Sequence, residues 1–214
     1  MENIVEGLVW DVAFIFSIVV HEAAHALAAL KLGDPTAYHG GQVSLDPRPH
    51  IKREPIGTVV VPIITFLLGG WMIGWASTPY DPFWARRYPQ RSALMSLAGP
   101  LSNLILIILS GIILRLERQY GFVAPESFLF AVMNFIYILF TLNLILFIFN
   151  LLPLPPMDGS NAVILLLSED TAEKYMDIIQ NPMYRLIGLF IAWKLFGFIF
   201  DPFHKFALKL LYGA

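Results

Sequence analysis

The chain has 214 residues, of which 57% are hydrophobic and only 14% charged, against about 25% charged in an average soluble domain. Its 14 Lys and Arg against 16 Asp and Glu leave a net charge of −2, which offers no basic footprint for nucleic acid. No cysteine is present. Disulfide scaffolds are therefore excluded, and any transition-metal site must be built from His, Asp or Glu.

The apolar residues are bunched in the stretches 4–30, 56–76, 92–114, 128–152 and 183–200, each near the ~20 residues that cross a bilayer core. This pattern predicts an all-α polytopic membrane protein, with residues 1–214 forming a single domain. The N-terminal residues are acidic, with no Lys or Arg before Lys31, unlike the basic n-region of a cleaved signal peptide. The first stretch is expected to persist as a helix, ending at Gly33 before Asp34-Pro35.

Residues 34–55 are polar and rich in Gly, Pro, Arg and His, and within them Gln42-Val43-Ser44-Leu45 alternates polar and apolar residues. That alternation predicts a short membrane-associated β-strand. Stretch 56–76 is punctuated by Gly57, Pro62, Gly69, Gly70 and Gly74, a density that suits a broken or re-entrant segment. Spans 92–114 and 128–152 are joined by a polar turn from Arg115 to Glu126. The second runs into Pro153-Leu154-Pro155-Pro156, which cannot remain α-helical. A short apolar helix is expected near 161–167, then an acidic patch from Glu169 to Asp177. A last helix over 183–200 is expected to kink at Asp201-Pro202 before 203–212.

Basic residues orient the chain. Loop 31–55 carries Lys31, Arg48, Lys52 and Arg53, and loop 77–91 carries Arg86, Arg87 and Arg91. Both loops are expected to be cytoplasmic, which makes 56–76 re-entrant and leaves four full spans.

The sharpest chemical signal is His21-Glu22-Ala23-Ala24-His25. Histidines at i and i+4 share a helix face, so both imidazoles reach one zinc, and Glu22 falls at the edge where a general base acts on water. Ionisable groups inside a span are costly and usually functional. A catalytic zinc needs a third protein ligand, and the candidates are His39, His50, His204 and the acidic residues near helix ends. Asp158 stands out because the prolines before it unwind the chain just after a span. The competing use of Asp158 is as N-cap of the following short helix. Pairing Asp158 with the histidines requires helix 128–152 to run in the same direction as the first, so only one full span can lie between them. The basic loops flanking 56–76 support that count independently.

Three segments together, HEAAH at 21–25, LAGPLSN at 97–103 and NLLPLPPMDGSNA at 150–162, resemble the site-2 protease family of intramembrane zinc metalloproteases. The segment at 32–58 is most similar to the compact group without PDZ or CBS domains. The resemblance implies cleavage of peptide bonds in or near transmembrane helices during regulated intramembrane proteolysis. It implies one zinc per chain held by His21, His25 and Asp158, Glu22 as general base, and Asn150 as a contact for substrate backbone or oxyanion. It further implies a transmembrane protein substrate, membrane lipid as surroundings, and a prokaryotic cell membrane with the active site toward the cytoplasm. Oligomeric state stays open. Ser77 stands where many relatives carry Lys, and Asp46 where they often carry Asn.

Two rival readings are a zinc-binding membrane chaperone or pseudoprotease, against which an intact Glu22 argues, and a metal or proton transporter. The transporter would want further acidic residues along the spans, and 92–114 and 128–152 contain none. His50 is read as an interfacial histidine. Gly99, Pro100 and Asn103 have two readings, approach to the site and close helix packing, and small residues in membrane helices mostly serve the second. A helical substrate must unwind before cleavage, and Gln42 to Leu45 is expected to receive its backbone by β-augmentation.

Overall fold

A computed structural model describes residues 2–69, 72–125 and 127–213. Gly70 and Glu126 of the readings above lie outside the described residues. Every regular element among the described residues is helical, and four helices are long and apolar enough to cross a membrane.

Helix α1 (Glu2–Leu32) spans 31 residues. It stops as expected at Gly33, where the amide of Asp34 returns to Ala29 O at 2.8 Å. Asp34 is buried, and its carboxylate receives the amide of Thr36 at 2.9 Å and that of Asp81 at 2.8 Å. The loop after α1 and the segment at Asp81 are thereby tied together.

The expected strand is absent. The polar interval instead forms α2 (Thr36–His39) and α3 (Pro47–Arg53), with Gln42 in irregular chain and Val43 to Leu45 in bends between them. Asp46-Pro47 starts a helix rather than ending a strand, because the Asp46 carboxylate accepts from Arg48 N as an N-cap with Pro47 in the first turn. Local bonds also take the backbone: Gln42 N donates to Ala37 O at 3.0 Å, and His50 Nε2 donates to Ser44 O at 3.0 Å. Four alternating residues without a partner strand have no ladder to join. His50, expected at the interface, is buried instead.

Residues Ile56–Val60 form a wide π-type turn that runs into α4 (Val61–Gly69). At 1.5 Å per residue the combined Ile56–Gly69 segment is about 20 Å long, short of the ~30 Å hydrocarbon core. Residues 72–81 have no regular structure and run back along the segment. Ile73 N donates to Thr65 Oγ1 at 3.1 Å and Trp75 N to Gly57 O at 3.0 Å, so Trp75 returns to the level where the segment began. Glycine permits this approach. A Cβ on Gly57 would lie 2.4 Å from Trp75 O, and one on Gly74 would lie 2.4 Å from Gly57 O.

Helix α5 (Pro82–Arg87) is capped by Asp81. Helix α6 (Pro89–Tyr120) is longer than the 92–114 span, since Arg115 to Tyr120 continue it instead of forming a turn. Helix α7 (Phe128–Asn150) starts where expected and ends at Asn150, short of the expected 152. After the prolines come α8 (Asp158–Ala162) and a tight 3₁₀ turn over Val163–Leu166. The acidic patch is a helix, α9 (Glu169–Gln180), that buries Ala172, Met176 and Ile179 against Trp84, Ala85 and Ile164. Helix α10 (Pro182–Tyr212) runs through Pro202 as one element, as membrane helices permit when freed backbone groups find other partners. Helices α1, α6 and α7 pack on one another, and α10 lies outside α6 and α7.

Candidate metal centre

Positions 21 and 25 lie one turn apart on α1 and project their rings toward α6. The rings meet Gly99, where a Cβ would sit 2.3 Å from His25 Nε2 and 2.5 Å from His21 Nε2. Glycine at 99 is therefore what lets α6 approach the two imidazoles. His21, Glu22 and His25 are each 5% exposed, so these ionisable groups are withdrawn from solvent and need partners.

Asp158 comes from a distant part of the chain, 137 positions after His21. The chain leaves α7 at Asn150, turns through the prolines and begins α8 at Asp158. The N-cap position belongs to Met157, and Asp158 does not use its carboxylate as a cap. Its Oδ2 stands 3.1 Å from His21 Nε2 and 3.3 Å from His25 Nε2, and the two Nε2 atoms are 3.0 Å apart.

The triangle fits a metal ion. His25 Nδ1 lies 2.8 Å from Met95 O; a backbone carbonyl can only accept, so Nδ1 carries the proton and Nε2 of the neutral ring presents a lone pair. His21 Nδ1 lies 2.6 Å from Asn103 Oδ1, also an acceptor. Three acceptor atoms thus face one another with no donor between them. Around a tetrahedral zinc with bonds of about 2.0–2.1 Å, ligand atoms stand roughly 3.3–3.4 Å apart, close to the spacing found. Among the described residues these three form the one cluster of three or more His, Asp or Glu side chains suited to an ion.

Glu22 does not join the triangle. Its carboxylate Oε2 lies 2.7 Å, and its backbone oxygen 2.9 Å, from Thr78 Oγ1. One hydroxyl proton serves one acceptor at a time, and the shorter contact is to the carboxylate. Thr78 belongs to the irregular segment that returns from α4. The same segment is held by Gln42 Nε2, which donates to Ser77 O at 3.2 Å, and by Ser77 Oγ, which donates to Glu54 Oε1 at 2.7 Å.

The structure therefore brings together His21, His25 and Asp158, with Glu22 on the same helix. It does not bring His39, His50 or His204 into the cluster. Asn150 Nδ2 donates to Leu146 O of its own helix at 3.0 Å and is not among the partners of the three clustered side chains. Asn103, with packing and approach to the site as its two readings, touches His21 directly. Thr78 and the Met95 carbonyl carry no sequence signal, since one lies 56 positions from Glu22 and the other is a main-chain atom.

A profile of peptidase family M50 matches residues 122–195. A Bacillus subtilis protein named as a zinc metalloprotease, YwhC, is 33% identical over 210 residues, 89% of this chain and 92% of its own length. The Mycobacterium tuberculosis protein Rip2, named likewise, is 31% identical over 187 residues, 87% of this chain and 68% of Rip2. Rip2 of Mycolicibacterium smegmatis is 28% identical over 150 residues, 70% of this chain and 54% of that protein. No solved structure matches the chain.

Proposed function

Because the chain belongs to the site-2 protease family, peptidase family M50, we propose that it is an endopeptidase that hydrolyses peptide bonds in or near the transmembrane helices of other membrane proteins. It is a metalloprotease, hence a hydrolase, and zinc is its cofactor. The observation that carries the intramembrane reading is the convergence of three acceptor atoms where a bilayer-length apolar helix contributes two of them.

In this reading His21, His25 and Asp158 hold the ion. Zinc bound there supplies a Lewis acid that polarises a carbonyl and makes water nucleophilic near neutral pH. Glu22 takes a proton from the attacking water and delivers it to the leaving amine. Thr78 keeps the Glu22 carboxylate aimed until water and substrate enter. Leu146 O takes one Nδ2 hydrogen of Asn150, and the second is the one left for the oxyanion role.

The active site faces the cytoplasm, with Ile56–Gly69 entering and leaving the membrane on that face. The Asp34–Asp81 hydrogen bond supports this, because it joins the loops before and after that segment, as does the basic character of both loops. The chain has no cysteine, so Asp46→Cys and Asp81→Cys can be labelled with an impermeant thiol reagent. Both are expected to react from the cytoplasm, and labelling from opposite sides would make the segment a full span.

The decisive experiment is metal and product analysis of two variants. Glu22→Gln is expected to keep about one zinc per chain and to lose proteolysis, because the glutamate moves protons and does not ligate. Asp158→Asn is expected to lose both, three ligands being the minimum for a catalytic site. Membrane peptides that accumulate only in cells carrying Glu22→Gln identify the substrates by mass spectrometry. Full zinc and activity in Asp158→Asn would overturn the assignment.

A further inference from the structure

Three polar side chains lie fully buried beyond the histidines: Ser17 on α1, Asn103 on α6 and Asn143 on α7, each 0% exposed. Side-chain amides and hydroxyls are expensive to bury without partners, and here they partner one another across three helices. The direction of every bond can be worked out from one end. Asn143 lies 2.8 Å from Leu139 O, and a backbone carbonyl can only accept, so the Asn143 atom on that side is Nδ2. Its Oδ1 therefore faces Asn103, from which it can only accept. Asn103 must turn Nδ2 toward it, at 2.8 Å, which leaves Asn103 Oδ1 facing α1. That oxygen also only accepts, so His21 Nδ1, 2.6 Å away, carries the proton. In the neutral ring the lone pair is then on Nε2, facing His25 and Asp158. The second Nδ2 hydrogen of Asn143 goes to Ser17 Oγ at 2.9 Å, and the Ser17 hydroxyl donates to Ala13 O at 2.7 Å.

We propose that Asn103 and Asn143, backed by Ser17, are positioning residues for metal binding. They form a one-way hydrogen-bond relay, anchored on the Leu139 carbonyl, that holds His21 with its Nε2 lone pair toward Asp158. The proposal rests on the metal-centre reading above. Polar side chains in membrane helices also serve simply to join helices, but joining requires no defined direction, and a flipped Asn103 amide would join α6 to α1 equally well. It would offer His21 a donor instead of an acceptor and would favour the wrong ring nitrogen for the metal. His25 needs no such relay, because the Met95 carbonyl cannot flip.

The test uses the full chain in nanodiscs with Zn2+ as the probe. Zinc affinity is measured by chelator competition. The His21 tautomer in the zinc-free protein is read from ¹⁵N-histidine spectra, with the His21 signal assigned by its loss in His21→Gln. Asn103→Leu is expected to bind zinc about 10–100-fold more weakly, as loss of an outer-shell partner does, and to show proton density on Nε2. Asn143→Leu touches no ligand, yet it is expected to weaken binding about tenfold and to mix the tautomers, because it frees the Asn103 amide to flip. Asn103→Asp keeps an acceptor toward Nδ1 and, as the neutral acid, donates its hydroxyl to Asn143 Oδ1, so zinc affinity is expected to stay within about threefold of the parent. Parent affinity and tautomer in both leucine variants would overturn the relay. Equal losses in all three variants with an unchanged tautomer would also overturn it, since that result describes packing alone. Should His21→Gln bind zinc as the parent does, the metal-centre reading itself falls, which is a separate outcome.

Discussion

Helices α1 and α10 are both 31 residues long and equally apolar, yet 56% of the membrane-length stretch of α1 is buried and only 11% of that of α10. Apolarity alone therefore does not say which helix lies at the centre of a membrane protein. In α1 the buried face carries Ser17, His21, Glu22 and His25, and each has a partner on another segment: Asn143, Asn103, Thr78 and the Met95 carbonyl. In α10 the outward residues are Leu186, Phe190, Trp193 and Phe198, all strongly exposed, as suits a surface turned to lipid. Lipid tails are as apolar as Leu, so apolar side chains give no reason to pack inward. Polar side chains do, because hydrocarbon offers them no partners.

The contrast can be broken most severely at Gly99. Alanine favours a helix over glycine by about 1 kcal/mol, so on α6 alone Gly99→Ala should be benign. Its Cβ would meet both Nε2 atoms within 2.5 Å. Zinc affinity is therefore expected to fall at least about tenfold, an effect of the size seen when a ligand's support is removed. Chelator competition measures it. Unchanged affinity would mean that α1 and α6 are not held as close as described.

A narrower effect, confined to turnover, is expected at Thr78. Thr78→Val keeps the shape and removes the hydroxyl that holds Glu22. Hydrogen bonds to charged groups contribute about 1.5–3 kcal/mol, so kcat is expected to fall about tenfold or more while zinc content stays at the parent level. Parallel loss of zinc would show that Thr78 supports the ligands and not the base.

The smallest effect belongs to α10. Phe198 is 84% exposed, and Phe198→Ala is expected to change stability by less than about 0.5 kcal/mol, with zinc binding and cleavage unaltered. Unfolding in mixed micelles checks the first, and the assays above check the rest. A loss comparable to that at Gly99 would place α10 among the helices that shape the site.

What could be read from the sequence follows the range of the interaction involved. His21 and His25 declare themselves because the i, i+4 spacing is a property of one helix. Gly33 marks the end of α1 through a contact only a few residues away. Asp158 was within reach because counting membrane crossings is a global constraint that needs no coordinates. The same local reasoning went astray at Gln42 to Leu45, where alternation suggested a strand but Asp46 and Pro47 were already beginning a helix. It passed over α9, whose four acidic residues hid the inward row of Ala172, Met176 and Ile179. Asn103 stays undecided between packing and approach to the site until its contact with His21 is seen.

Sequence by itself thus determined the membrane class, the four long helices, the family resemblance and the side chains that come together as a candidate metal centre. Periodicity, capping and apolar length are written in neighbouring residues, and the crossing count adds its single long-range restraint. Only the tertiary structure decided what supports those side chains: the Met95 carbonyl behind His25, the Asn103–Asn143–Ser17 chain behind His21, the Thr78 hydroxyl against Glu22, and the missing Cβ at Gly99. Each is a contact between segments distant along the chain, set by how closely α1, α6, α7 and the segment returning from α4 approach one another.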